Sequence, residues 1–179
     1  MLQVLPAIVM LQAAMKMNPP AVGEIAPMFD LHRIDHSTVR LKSALRNGPV
    51  VLVVLRGFPG YQCPFCTKQV GDWITHGDDF AKRNASVIFV YPGPVDGLEG
   101  HLKEFVGNKE IPKAFTFTLD PGFGFTNQYH LRWDAPNETS YPSTFVIARD
   151  GHIRLAKISH DHDDRASADA VLAALDKLN

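Results

Sequence analysis

The chain has 179 residues, 45% of them hydrophobic, so a single domain with a core of its own is expected without a disulfide scaffold. A formal net charge of −1 argues against nucleic acid or an anionic membrane surface as partner. Two cysteines in a chain of this size point to chemistry rather than to stapling.

Residues 1–20 stand apart as an apolar N-terminal extension. Met1–Met15 has no basic residue before Lys16, and Pro6 and Gln12 interrupt it. It is too short and broken for a transmembrane helix and lacks the basic start of a good signal peptide. A weak or truncated signal, an appended helix and a wrongly chosen start codon stay open. Asn18-Pro-Pro20 ends the segment, and one domain is expected over residues 21–179. Within it, Val39–Leu41 reads as a short strand and Asn47-Gly-Pro49 as a turn. Val50–Leu55 is continuously apolar, as a strand buried on both faces would be. Val70, Trp73, Ile74, Phe80 and Ala81 recur near helical spacing, which predicts one helix over roughly Pro64–Arg83. Ser86–Tyr91 is a second buried strand. Leu98, Leu102, Phe105 and Val106 mark a helix, Phe115–Leu119 a strand, and Phe125–His130 a short helix. Thr144–Ala148 and His152–Ile158 read as strands joined by an Asp150-Gly151 hairpin turn. Val171, Leu172, Leu175 and Leu178 give a closing helix with Ser167 as N-cap. Strands joined by helices, followed by a hairpin, predict an α/β fold: a mixed central β-sheet flanked by helices. That is a thioredoxin-like order with one inserted strand and helix.

The chemistry is expected where the first buried strand meets the long helix. Cys63 and Cys66 fall there as a C-x-x-C pair. A thiol at a helix N-terminus meets unpartnered backbone N–H groups and the positive end of the macrodipole, and both favour the nucleophilic thiolate. The pair therefore reads first as a redox couple. A zinc site would need two further ligands, and none of the eight histidines falls at a tight spacing near the pair. Arg56, just upstream, offers a guanidinium to a thiolate or a peroxide oxygen, or else pairs with a carboxylate at the sheet end. Pro59 and Gly60 shape the loop. Thr67, Lys68 and Gln69 are placed to tune a thiol in the first helical turn. Pro142, entering a late strand, is expected to be cis and to face the cysteine loop. The run Ser159–Arg165 holds two histidines and three aspartates and reads as a solvated loop rather than a metal site, with Arg165 capping or pairing locally. Trp73 reads as core. Trp133 lines the site or packs in the core.

Over Val22–Leu178 the chain resembles the peroxiredoxin-like branch of the alkyl hydroperoxide reductase/thiol-specific antioxidant (redoxin) family. Val22-Gly-Glu-Ile-Ala-Pro-Met-Phe-Asp-Leu31 looks like the family's opening segment. Pro59-Gly-Tyr-Gln-Cys-Pro-Phe-Cys-Thr-Lys-Gln69 is similar to its P-x-x-x-T-x-x-C loop, in the form found in bacterioferritin comigratory proteins. In that frame Cys66 falls on the peroxidatic position, Pro59 on the loop proline, and Cys63 replaces the threonine that holds the peroxide. The second family arginine, expected before Ser143-Thr-Phe145, is Pro142 instead. Peroxide activation relies on thiolate, threonine and arginine together.

The resemblance implies a thiol-dependent oxidoreductase that reduces hydroperoxides or disulfides through Cys63 and Cys66, without a cofactor. The expected partners are a hydroperoxide or a disulfide, and a thioredoxin-like or low-molecular-weight thiol reductant. A homodimer is compatible with this reading. The other readings are a dithiol–disulfide exchange protein without useful peroxidase activity, and a non-enzymatic redox-sensing or partner-binding module. Cys66 is expected to be oxidised first and Cys63 to resolve it. A cytoplasmic location is expected, or a periplasmic one if the apolar segment is a signal remnant.

Overall fold

The computed structural model describes residues 18–178, so the expectations for the apolar segment Met1–Met15 lie outside the described residues. The elements run β1 (Asp30–His32), β2 (Thr38–Arg40), α1 (Leu41–Asn47), β3 (Val50–Val54), α2 (Pro64–Thr75), α3 (Gly77–Lys82) and β4 (Ser86–Gly93). They continue with α4 (Leu98–Val106), β5 (Phe115–Pro121), α5 (Gly124–Gln128), β6 (Ser143–Ile147), β7 (Ile153–Ile158) and α6 (Ala168–Asp176). The strands form one seven-stranded mixed sheet in the order β2-β1-β5-β4-β3-β6-β7. β3, β4 and β5 are parallel neighbours, while β6 and β7 are antiparallel to their neighbours. The expected mixed sheet flanked by helices is what forms.

Every residue of β3 and β6 is buried, which is why their sequences are apolar or hydroxyl-bearing without alternation. Alternate side chains of β3 feed two cores. Val51, Val53 and Leu55 face α2, α3, α4 and α6, together with Trp73, Phe80, Phe89, Leu102 and Val171. Val50, Leu52 and Val54 face α1 and α5, with Leu41, Phe125, Tyr129 and Phe145. Trp73 is fully buried, 5.5 Å from the ring of Phe80 and 6.0 Å from that of Phe89, in keeping with a core role. Burying each such aromatic contributes on the order of 1.5–3 kcal/mol before the cost of ordering it.

Two differences from the expected elements have local causes. The single helix over Pro64–Arg83 is broken at His76, giving α2 and α3. Gly77 starts α3 against Pro112, whose Cγ lies 2.5 Å from where a β-carbon would stand, so the chain bends to admit that contact. His76 bonds back to α2 through its N–H, and its carbonyl accepts the N–H groups of Asp79 and Phe80. The strand expected over Val39–Leu41 stops at Arg40, because Leu41 opens the amphipathic α1 that buries Leu41 and Leu45.

The chain leaves β3 through Gly57, which sits at φ +68°, and a β-carbon there would collide with the carbonyl oxygen of Pro92. Neither the left-handed backbone nor the close approach admits another residue cheaply. Gly57→Ala is expected to cost at least about 2 kcal/mol. A urea unfolding midpoint matching that of the wild-type protein would contradict this account of the turn.

Candidate active site

The site lies at the carboxyl end of β3, where the chain order turns outward to β4 on one side and meets β6 on the other. Such a switch point leaves a crevice at strand ends. Beyond β3, the Leu55 N–H donates to Val90 O at 2.9 Å. The carbonyls of Leu55 and Arg56 accept the hydroxyls of Ser140 (2.8 Å) and Thr139, which fix the path of the chain into the cysteine loop. Phe58 N donates to Pro92 O at 2.9 Å, and the Phe58 ring stacks on His101 with centroids 3.5 Å apart. Pro59 lies half-buried within this loop and has no N–H to offer a ligand. Gln62 accepts from the Tyr91 hydroxyl at 2.8 Å and donates to His101 O at 2.9 Å.

Cys63 is the N-cap of α2, and its sulfur accepts the backbone N–H of Cys66 at 3.3 Å. Pro64 occupies the first turn, where a missing N–H costs nothing. Cys66 faces the core with Val70 and Trp73. Both thiols are free and neither is exposed to solvent. Their acidities diverge. The Cys63 thiol is pulled down to about 5, first by the hydrogen bond from the Cys66 side chain, against the opposing effect of burial. The Cys66 N–H, Arg165 and Arg56 add to the lowering. Burial, then the bond to Cys63, pushes the Cys66 thiol well above its ordinary value. The helix N-terminus acts most strongly on the cap residue, whereas Cys66, one turn in, is enclosed by apolar side chains.

Arg56 faces the carboxylate, not the thiols. Its Nε donates to Glu138 Oε2 at 2.6 Å and its Nη2 to Glu138 Oε1 at 3.1 Å. It also donates to the Tyr61 hydroxyl at 2.9 Å and to Asn137 O at 2.5 Å. Burial opposes its charge, but the bonds to Glu138 and Tyr61 outweigh this and hold it firmly protonated. Glu138 in turn contacts His162 Nε2 at 2.9 Å.

The guanidinium that does reach the sulfurs is Arg165. Its Nη1 is 3.6 Å from Cys66 Sγ and donates to Gln69 Oε1 at 2.9 Å. Its Nη2 is 3.8 Å from Cys63 Sγ. The run read as a solvated loop does expose His160, Asp161, Asp163 and Asp164, but it is anchored: Ser159 N donates to Pro142 O at 2.9 Å, Lys157 pairs with Asp164 at 2.7 Å, and Arg165 Nε donates to His162 O at 2.6 Å. No local sequence signal marks Arg165, since its partners lie about a hundred residues upstream. Gln69 joins the site through Arg165.

Pro142 requires a correction. None of the peptide bonds among the described residues is cis, so Tyr141–Pro142 is trans. Tyr141 N donates to Leu131 O at 2.8 Å, and Pro142 leads straight into β6, which an extended trans bond before proline allows. The register places Ser143 opposite Val54, so Pro142 still stands at the thiol end of the sheet. Trp133 stacks on Tyr141, centroids 4.9 Å apart, and lies 5.3 Å from the ring of His162, flanking the Arg165 loop. A groove of about 420 Å³, lined by Phe65, Lys68, Gln69, Trp73, Arg165 and Ala166 among others, opens beside Arg165.

Comparison with known proteins bears on the family and the fold. A curated Helicobacter pylori relative named for the peroxiredoxin bcp is 33% identical over 82 residues, which is 46% of this chain and 49% of the relative. The chain thus spans about half the length of the curated relatives it matches. Among solved structures, peroxidoxin BcpB of Mycobacterium tuberculosis superposes with a TM-score of 0.70 at 23% identity, covering 89% of this chain and 99% of that one. A peroxiredoxin-like protein of Aquifex aeolicus gives 0.70 at 16% identity, covering 91% of each. These likenesses show a shared thioredoxin-like peroxiredoxin fold. The AhpC/TSA family pattern matches residues 22–156, and the chain belongs to that family.

Proposed function

We propose that this protein is a thiol-dependent peroxidase in which Cys63 attacks and Cys66 resolves. The observation that carries the reading is the asymmetry of the pair. Cys63 at the helix cap is the acidic thiol and Cys66, hydrogen-bonded to it from the first turn, is kept protonated. The Cys63 thiolate attacks the terminal oxygen of a hydroperoxide. A sulfur–oxygen bond forms as the oxygen–oxygen bond breaks, and the departing alkoxide takes a proton from water. Cys63 is now a sulfenic acid. The Cys66 thiol attacks its sulfur, water leaves with the Cys66 proton and the hydroxyl, and a Cys63–Cys66 disulfide results. A thioredoxin-type dithiol reduces this disulfide and is itself oxidised.

The test is consumption of hydrogen peroxide and an organic hydroperoxide, coupled to a thioredoxin regenerating system. Turnover of either, with formation of one intramolecular disulfide, is expected. Reduction of an insulin-type disulfide with no peroxide turnover would replace this reading with dithiol–disulfide exchange.

A further inference from the structure

We propose that Arg165 is the catalytic arginine of this site, delivered by the loop after β7. The proposal rests on the peroxidase reading above and adds the residue that stabilises both the thiolate and the departing oxygen. Three observations converge. At the head of β6, where the family resemblance leads one to expect an arginine, the chain has Pro142, buried and without a donor. Arg56, the other arginine of the site, is committed: its guanidinium nitrogens bond to Glu138, Tyr61 and Asn137 O, and its charge is matched by the Glu138 carboxylate. Arg165 is differently placed. No ion pair among the described residues pairs it with a carboxylate, and its Nη atoms lie 3.6 and 3.8 Å from the two sulfurs.

A half-buried guanidinium without a carboxylate partner is costly unless an anion faces it. The anion available here is the thiolate of the Cys63–Cys66 pair. The fork is also held in orientation. Nε donates to His162 O and Nη1 to Gln69 Oε1, which leaves Nη2 beside Cys63 Sγ. As Cys63 sulfur bonds to the terminal peroxide oxygen, negative charge moves to the second oxygen. A donor already beside the sulfur meets that charge without reorganising. The alkoxide is protonated by water. Lys157–Asp164 and His162–Glu138 anchor the loop that makes this placement.

The experiment compares wild type, Arg165→Met and Arg165→Lys in two readouts. One is the pH titration of thiolate absorbance in the reduced protein. The other is the single-turnover rate of oxidation by hydrogen peroxide and by cumene hydroperoxide. Arg165→Met should move the low thiolate midpoint upward and slow oxidation by roughly 100-fold or more, the scale for losing one preorganised donor. Arg165→Lys should restore much of the midpoint but little of the rate, since an ammonium cannot span sulfur and oxygen as a planar fork does. The lysine variant keeps the comparison intact should the methionine variant fail to fold. An unchanged midpoint in Arg165→Met, or full activity in Arg165→Lys, would overturn the proposal. The titration needs no peroxide turnover, so it separates failure of this assignment from failure of the peroxidase reading.

Discussion

Replacing Cys63 by serine should abolish reaction with hydroperoxide, a loss of roughly 10³-fold or more given what removing a nucleophile costs. It should also erase the thiol that titrates near pH 5. In the wild-type protein, alkylation by a neutral reagent should rise through that midpoint and stay flat near neutrality, because Cys63 is already ionised there. The stability of the reduced protein follows the same group. Its pKa is depressed on folding, from 9.0 to about 5, so the unfolded chain holds the extra proton between these values. Stability therefore rises with pH across that window, is fully gained above about 9, and is lost as pH falls through about 5. Cys66 has the opposite sign: burial raises it, so its contribution is present below 9.0 and is lost as pH climbs higher. In Cys63→Ser the rise between these limits should vanish, as urea midpoints measured at a series of pH values would show. A serine variant that still loses peroxide at the wild-type rate would contradict the assignment.

Truncating Glu138 to alanine should give the largest loss of stability at the site. Arg56 is 2% exposed and Glu138 10%, so the mutation strands a buried guanidinium. Breaking one side of such a pair costs about 3–5 kcal/mol. It also frees His162, one of the anchors of the Arg165 loop. The midpoint of the Cys63 thiolate should then drift upward even in variant protein that remains folded. Burial favours the neutral Glu138 carboxyl, but the bonds from Arg56 and His162 outweigh it and hold its pKa below the ordinary carboxylate value. The pair's contribution is thus present above about 4.5 and fades as pH falls below it. Chemical denaturation at neutral pH measures the loss. A change under about 1 kcal/mol would mean that Arg56 finds another counter-charge.

The sheet was legible because its central strands hold unbroken apolar runs, Val50–Val54 and Val87–Tyr91, and the Asp150-Gly151 turn is a local signal. The three-residue strand Asp30–His32 was not legible, since so short an element is held by its neighbours rather than by its own pattern. The C-x-x-C pair announced the chemistry, yet its polarity did not follow from the motif alone. Cap position and burial, which are properties of the fold, make Cys63 the acidic thiol. The two arginines show the same limit. Arg56 sits near the cysteines in sequence but is taken by Glu138, 82 residues on, while Arg165, 99 residues from Cys66, is the one beside the sulfurs. Charge pairing across such separations is decided by tertiary packing. The expectation of a cis Pro142 rested on position alone, and no peptide bond among the described residues is cis.

The order of oxidation is the central claim, and a sulfenic-acid trap on the two single variants tests it directly. Each reduced variant is treated with one equivalent of hydrogen peroxide and a cyclic 1,3-dione, and the adduct is located by mass spectrometry. Cys66→Ser should carry the adduct on Cys63, because the acidic thiol is intact and nothing is left to resolve it. Cys63→Ser should carry none. An adduct on Cys66 in Cys63→Ser, with Cys66→Ser unlabelled, would reverse the roles and contradict this account.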